Sequence, residues 1–214
     1  MVQKNSHYLK IEWGKIVECC GLSSLMGEGS ELEKNPSCTV SLAIRNANLK
    51  DIKALTDVLT LSFHPSGGWL SFLQPILKLG VSEDLRLRLR GTVPYDCCLV
   101  AVEISQTPLV TKEKVIGTVE LSLKNGFNCD YLYISNLAVL ETHRRKGIAK
   151  KLLKECEQMA SKWGYDSLNL DVLEDNYAAQ KLYLSNGYKI CETELLWPNW
   201  FWVRSQKLFL KKKL

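Results

Sequence analysis

The sequence predicts an α/β (α+β) protein: a mixed, largely antiparallel twisted sheet of about seven strands, with helices on both faces. Three observations point there. Strand-like and helix-like runs follow one another in the order β α α β β β α β α β β, so strand runs are mixed with βα units. The stretch Tyr131–Trp163 joins a buried-strand pattern, Tyr131–Leu140, to a strong helix. No internal repeat or low-complexity segment interrupts the chain.

Residues 1–37 are the least readable and are expected to be a variable, partly flexible extension ahead of a domain spanning 38–214. Within it, His7–Cys20 alternates weakly and reads as a strand or short helix, and Gly21–Ser37 as a linker. Thr39–Arg45 alternates as a strand. Asn48 or Asp51 can cap a helix over Leu49–Phe63, which His64-Pro65-Ser66-Gly67-Gly68 breaks. A second helix is expected over Trp69–Leu89, interrupted near Gln74-Pro75 and Gly80. Asp96–Ile104 and Lys114–Leu123 read as strands, with a turn at Lys124-Asn125-Gly126. After the central strand, Glu141–His143 forms a polar turn. The next helix carries Ile148, Ala149, Leu152, Leu153, Cys156, Met159, Ala160 and Trp163 at three- and four-residue spacing. Ser167–Leu173 is a further strand and Asn176–Ser185 a short helix stopped by Asn186-Gly187. Two strands, Tyr188–Leu195 and Trp202–Leu210, flank the aromatic turn Trp197-Pro198-Asn199-Trp200, and Lys211–Lys213 reads as a solvated tail.

Composition narrows the function. The net charge of +5 over 214 residues is modest and sits largely at the Arg144–Lys146 turn and the lysine tail, a pattern better suited to a small anion than to a polyanion. The eight cysteines include no C-x-x-C pair, so no metal site is expected. They read as small buried hydrophobes in a reducing compartment. No run approaches the ~20 apolar residues of a membrane span. The acidic residues Glu12, Glu18, Glu28, Glu31 and Glu33 argue against a transit peptide, and no signal-peptide core is present.

The junction at Arg144-Arg145-Lys146-Gly147 breaks a local rule. A helix start is already positive and favours acidic residues, yet three cations crowd it. Gly147 there costs about 1 kcal/mol of helix propensity against alanine. An anion would repair the arrangement, held by free N–H groups and approached closely past Gly147 and Ala149. The plainer reading is a solvated basic helix end with a glycine for close packing.

Arg144-Arg145-Lys146-Gly147-Ile148-Ala149 matches the [QR]-x-x-G-x-[GA] signature and follows the strand Ile134–Val139. Downstream, Asn176-Tyr177-Ala178-Ala179-Gln180-Lys181-Leu182-Tyr183 and Gly187-Tyr188 match an N-x-x-A-x-x-L-Y…G-[FY] segment. With these two motifs in order, the chain resembles the GNAT superfamily of acetyl-coenzyme A-dependent N-acetyltransferases over about Val40–Leu210. It looks most like the cyanobacterial and plastid protein (lysine and N-terminal) acetyltransferases, around YDCCLVAVE, ISNLAV and LDVLEDN.

The resemblance implies acetyl-coenzyme A as cosubstrate and no metal. It implies that the backbone of Leu137 and Val139, with Ala138 between them, bonds the pantetheine arm and acetyl carbonyl. Arg144, Arg145, Lys146, Gly147, Ile148, Ala149 and Lys150 would form the pyrophosphate turn. Asn176, Tyr177, Ala178 and Tyr183 would line the site. Asn176 is equally a helix cap, and the two roles are compatible. Tyr183, two turns after Asn176, reads as a core aromatic or as the general acid for the departing thiolate, and both motifs together favour the acid. The base is open. Glu120 is the first candidate, equally readable as a solvent-facing strand glutamate; Asp171 and Glu174 are weaker ones, and His64 and His143 are set aside.

The leading expectation is transfer to primary amines of a protein or peptide, by an enzyme of the cytoplasm or plastid stroma that is a monomer or weak homodimer. The rivals are a transferase for a small amine (polyamine, amino acid or amino sugar), a non-catalytic acyl-coenzyme A-binding module, and an RNA-binding protein. No nucleic-acid or membrane partner is expected.

Overall fold

The computed structural model describes residues 9–11, 39–63, 74–91, 95–107, 110–126, 129–195 and 206–214. In chain order these form β1 (Leu9–Ile11), β2 (Thr39–Asn46), α1 (Ile52–Phe63), α2 (Gln74–Arg90), β3 (Cys97–Gln106), β4 (Thr111–Lys124), β5 (Tyr131–Val139), α3 (Ile148–Lys162), β6 (Ser167–Leu173), α4 (Tyr177–Ser185), β7 (Lys189–Leu195) and β8 (Gln206–Lys213). One sheet takes all the strands in the order β1-β2-β3-β4-β5-β6-β8-β7. Every pairing is antiparallel except β5 with β6. The expected architecture holds, and within His7–Cys20, read as a strand or short helix, Leu9–Ile11 forms the strand β1 at the sheet edge, paired with Leu42–Ile44.

Alternation along the strands supplies a core to each face. On one, Leu152, Leu153, Cys156 and Ala160 of α3 pack on Ile116, Leu121, Leu132 and Leu168. On the other, Leu55, Val58 and Leu59 of α1 and Leu85 of α2 pack on Val100, Val102 and Ala138. Cys97 and Cys98 point to opposite faces as neighbours on a strand must, one against each cluster. Cys156 is buried, but Cys129 and Cys191 are exposed, so burial accounts for only part of the cysteine content.

The start of α1 follows the capping chemistry of its sequence. Asn48 Oδ1 accepts from the Lys50 N–H at 2.9 Å, and Asp51 Oδ2 accepts from the Asn48 N–H at 2.8 Å, a reciprocal capping box on a 3-10 turn at Leu49–Asp51. Arg45 donates to both oxygens of Asp51, at 2.7 and 3.0 Å, and also to Glu113 at 3.1 Å.

Two expectations need correction. The second helix begins at Gln74, with Pro75 in its first turn, and runs unbroken through Gly80, where an interruption is expected from the sequence. Proline in the first helical turn forfeits only an N–H that would lack an intrahelical partner anyway. Gly80 costs propensity without breaking the helix, and a Cβ there would meet nothing within 4 Å. Lys211–Lys213 is no tail: the segment is the end of β8, paired with Ser167–Asn169. Lys212 sends its ammonium to Glu157 Oε1 at 2.6 Å and lies over the Tyr188 ring. The expected breaks at His64–Gly68, the linker Gly21–Ser37 and the aromatic turn Trp197–Trp200 lie outside the described residues.

Burial alone would push the Asp51 carboxyl up, but the Arg45 guanidinium and the Asn48 N–H outweigh it and hold it below the ordinary range. A depressed folded pKa contributes stability that is complete above the unfolded value and lost as pH falls through the folded one. Asp51→Ala, which removes the capping box and leaves Arg45 only its contact with Glu113, should cost about 2 kcal/mol in urea denaturation at pH 7. The gap between wild type and variant should narrow below about pH 4, where the unfolded carboxyl titrates.

Candidate active site at the fork between β5 and β6

The pairing of β5 with β6 lasts three residues, Leu132–Ile134 against Leu168–Leu170. Beyond it the strands part. Among the described residues, Ser135–Val139 pair only with β4, which leaves the other edge of β5 to a ligand. A bulge lies at the parting: Thr118 faces Ala138 while Glu120 faces Ser135, so β5 carries one extra residue. Asn136 takes it up at φ 51, a left-handed conformation that asparagine tolerates better than most residues. The extra residue shifts the alternation, so Leu137 and Val139 rejoin the α3 face beside Ile134 while Ala138 joins the other.

The turn below follows the same logic. Arg145 and Gly147 are both left-handed, at φ 66 and 75. Gly147 is the N-cap of α3, not an interior residue, so the helix-propensity cost expected of it does not arise; what requires glycine is the positive φ. The first helical bond runs from the Lys151 N–H to the Gly147 carbonyl at 3.1 Å. The N–H groups of Ile148, Ala149 and Lys150 precede it, and no described side chain caps them. Arg144, Arg145 and Lys146 are exposed around this opening, and Arg144 Nε donates to the Val139 carbonyl at 3.1 Å. His143, set aside from the sequence, proves buried under the turn between Thr142 and Glu103. Three open N–H groups, clustered cations and a left-handed turn suit a pyrophosphate.

Asn176 caps α4, its side-chain oxygen accepting from the Ala179 N–H at 3.1 Å. Tyr177 and Ala178 are exposed in the first turn of that helix. Tyr183, two turns on, is buried in the α3-side core, edge-on to Tyr188 at 5.8 Å between ring centroids. Burial pushes its phenol up to about 12.

Glu120 is not a solvent-facing strand residue. It is 4% exposed on the opposite face, and its Oε2 accepts from Arg88 Nη1 at 2.8 Å. Burial raises its pKa, aided by Asp84 and Asp96 and opposed by Arg88 and the Asn136 amide. Two small cavities, about 170 and 230 Å³, meet at Arg88, one reaching Glu120 and Cys98, the other Asn136 and Thr60. Sequence reasoning missed Arg88, which belongs to no motif, and Asn136, which lies within the ISNLAV strand but was given no role of its own. Asp171 is partnered by Tyr133 and Lys207, and Glu174 is exposed. A larger concavity lined by Arg45, Asp51 and Glu113 contains none of the motif residues.

Fold and fork together define an acyl-coenzyme A-dependent transferase. The chain belongs to the acetyltransferase (GNAT) family, whose model matches residues 80–188, and it is an N-acetyltransferase. It is 28% identical over 229 residues to the GCN5-related N-acetyltransferase 10, chloroplastic, of Arabidopsis thaliana, covering 95% of this chain and 88% of that one. It is 34% identical over 83 residues to the catalytic subunit NAA10 of the Arabidopsis N-terminal acetyltransferase A complex, covering 38% of this chain and 43% of that one. Arabidopsis NAA60, solved with a bisubstrate analogue, shares the fold at a TM-score of 0.60 and 18% identity, over 80% of this chain and 97% of that one.

At Gly147 a Cβ would meet nothing within 4 Å, so a substitution acts through φ and through what it places over the open N–H groups. Gly147→Val should strain the turn by roughly 1–2 kcal/mol. It should weaken coenzyme A binding by about tenfold or more in calorimetry.

Proposed function

We propose that this enzyme acetylates primary amines of proteins, lysine side chains, N-terminal α-amines or both, by direct attack of the amine on the thioester. The observation that carries this is the fork itself, with Tyr183 packed on its α3 side and Glu120 buried on the other. Acetyl-coenzyme A supplies an activated acetyl group when bound. Leu137, Ala138 and Val139 would hold its pantetheine along the free edge of β5. Arg144, Arg145, Lys146, Gly147, Ile148, Ala149 and Lys150 would hold its pyrophosphate, and Asn176, Tyr177 and Ala178 would flank it. The protein acceptor is supported by likeness to the NAA10 subunit, which is named for acting on N-termini. A plastid setting is supported by the chloroplastic relative. No described helix is long and apolar enough to cross a membrane.

An alkyl ammonium must lose a proton before it can attack, and its unperturbed pKa is about 10.4. Glu120, with a raised pKa, is a stronger base than an ordinary carboxylate and takes that proton directly or through water. Tyr183 does the opposite task. A phenol near 12 keeps its proton throughout the neutral range and donates to the sulfur as the C–S bond breaks. Solvent then reloads it.

Incubation of the protein with labelled acetyl-coenzyme A and a peptide library supplemented with polyamines, amino acids and amino sugars, read by mass spectrometry, tests the acceptor. Label is expected on peptide lysines or α-amines; label confined to polyamines, amino acids or amino sugars would overturn the reading. Tyr183→Phe should lower kcat by roughly 10²–10⁴-fold with coenzyme A affinity little changed. In the pH profile of kcat/KM, the wild type should rise through the Glu120 pKa, above the ordinary carboxylate value. Glu120→Gln should remove that limb and lower the plateau by about 10²-fold.

A further inference from the structure

On the face of the fork opposite α3, two strands are tied by side chains rather than backbone. Asp171 is the first residue of β6 beyond the last β5 pair. Its neighbours Leu170 and Val172 are buried on the α3 side, so Asp171 projects the other way. Tyr133, reaching from β5, donates its hydroxyl to Asp171 Oδ2 at 2.8 Å. Lys207 of β8 places its ammonium on the same oxygen. The carboxylate side chain is 13% exposed and the lysine 38%.

We propose that Asp171 anchors the ammonium group of the acceptor, and that Lys207 is a resident stand-in for it. The inference rests on the acetyltransferase reading for its location and on the trio for its chemistry. The two partners of Asp171 differ in kind. Tyr133 is half-buried on the strand that frames the fork, and its phenol is pushed up by burial and by Asp171 itself, so it stays a fixed donor. Lys207 reaches in from β8, the neighbour of β6 on its far side, on a flexible stem, and its half-exposed ammonium can swing out to water. A carboxylate this far from water needs a cation, but not this particular one. An acceptor lysine or α-amine arrives carrying the same kind of group, an alkylammonium, protonated at neutral pH. It would displace Lys207 and come to rest at the mouth of the fork. Acetylation then abolishes its charge. The neutral amide has nothing to offer Asp171, and Lys207 returns as the product leaves. The trio therefore selects for cationic amines and against their acetylated products.

Lys207→Met should lower the KM of lysine-bearing peptides several-fold, because the acceptor no longer competes with a tethered ammonium, while kcat changes little. Asp171→Asn should raise that KM by at least about tenfold with coenzyme A affinity preserved. A merely structural lysine would leave KM unchanged or raise it, and that result would overturn the proposal. Binding of n-butylammonium to the coenzyme A complex, followed by calorimetry, decides independently of turnover. It should tighten in Lys207→Met and vanish in Asp171→Asn; equal binding by wild type and both variants would also overturn the proposal. If the wild type acetylates no amine, the acetyltransfer assignment falls, and the butylammonium titration still judges the anchor.

Discussion

A parallel pairing only three residues long sets the geometry on which everything else depends. It is clamped at its base from both faces. Ile134 and Leu170 are buried in the α3-side core, while Asn169, on the face away from α3, donates from a buried amide to the Leu132 carbonyl at 3.1 Å. On that same face the Tyr133–Asp171 hydrogen bond crosses the gap. Above this clamp the bulge at Asn136 turns β5 away, because an extra residue bends and over-twists a strand. Backbone groups on the free edge want partners, and an extended chain of amides such as pantetheine offers them. The fork is a sheet with one ladder left for a ligand to complete.

The turn beneath it is costly by itself. Arg145 in the left-handed region costs roughly 1–2 kcal/mol, and its two cationic neighbours stand at a positive helix end. The same helix buries Leu152, Leu153 and Cys156 completely, at about 1.5–3 kcal/mol for each large apolar side chain. The core therefore holds α3 in place whatever its first turn prefers. His143 and Glu103 brace the turn from the far face. Strain can persist where surrounding packing over-determines the backbone, and here it leaves three N–H groups pointing outward.

What was legible in the sequence was local. The three- and four-residue spacing of α3, the Asn48 and Asn176 caps and the strand before Arg144 each depend on neighbours within a few positions, and each appears where expected. What was illegible was long-range. Glu120 reads as exposed until Arg88, 32 residues away on α2, closes over it. Lys211–Lys213 reads as a tail because its partners, Ser167–Asn169, lie more than forty positions earlier. Gly147 was read as a flaw in a helix because sequence does not say that the helix begins one residue later. The bulge left only a faint mark, an asparagine where a strand would prefer a β-branched residue.

That single extra residue also sets which side chains line each face of the fork. Side chains alternate along a strand, so a regular β5 would have kept Ile134, Asn136 and Ala138 on one face. With the bulge, Ile134, Leu137 and Val139 share the α3 face, where Tyr183 packs, while Asn136 lies beside Glu120. A group threaded through the fork thus has an apolar wall with a protonated phenol on one side and buried carboxylates on the other. The two sets of groups are separated by the sheet itself, so neither neutralises the other. In the proposed mechanism, Tyr183 as donor and Glu120 as acceptor can coexist at one pH because they occupy opposite faces of the sheet.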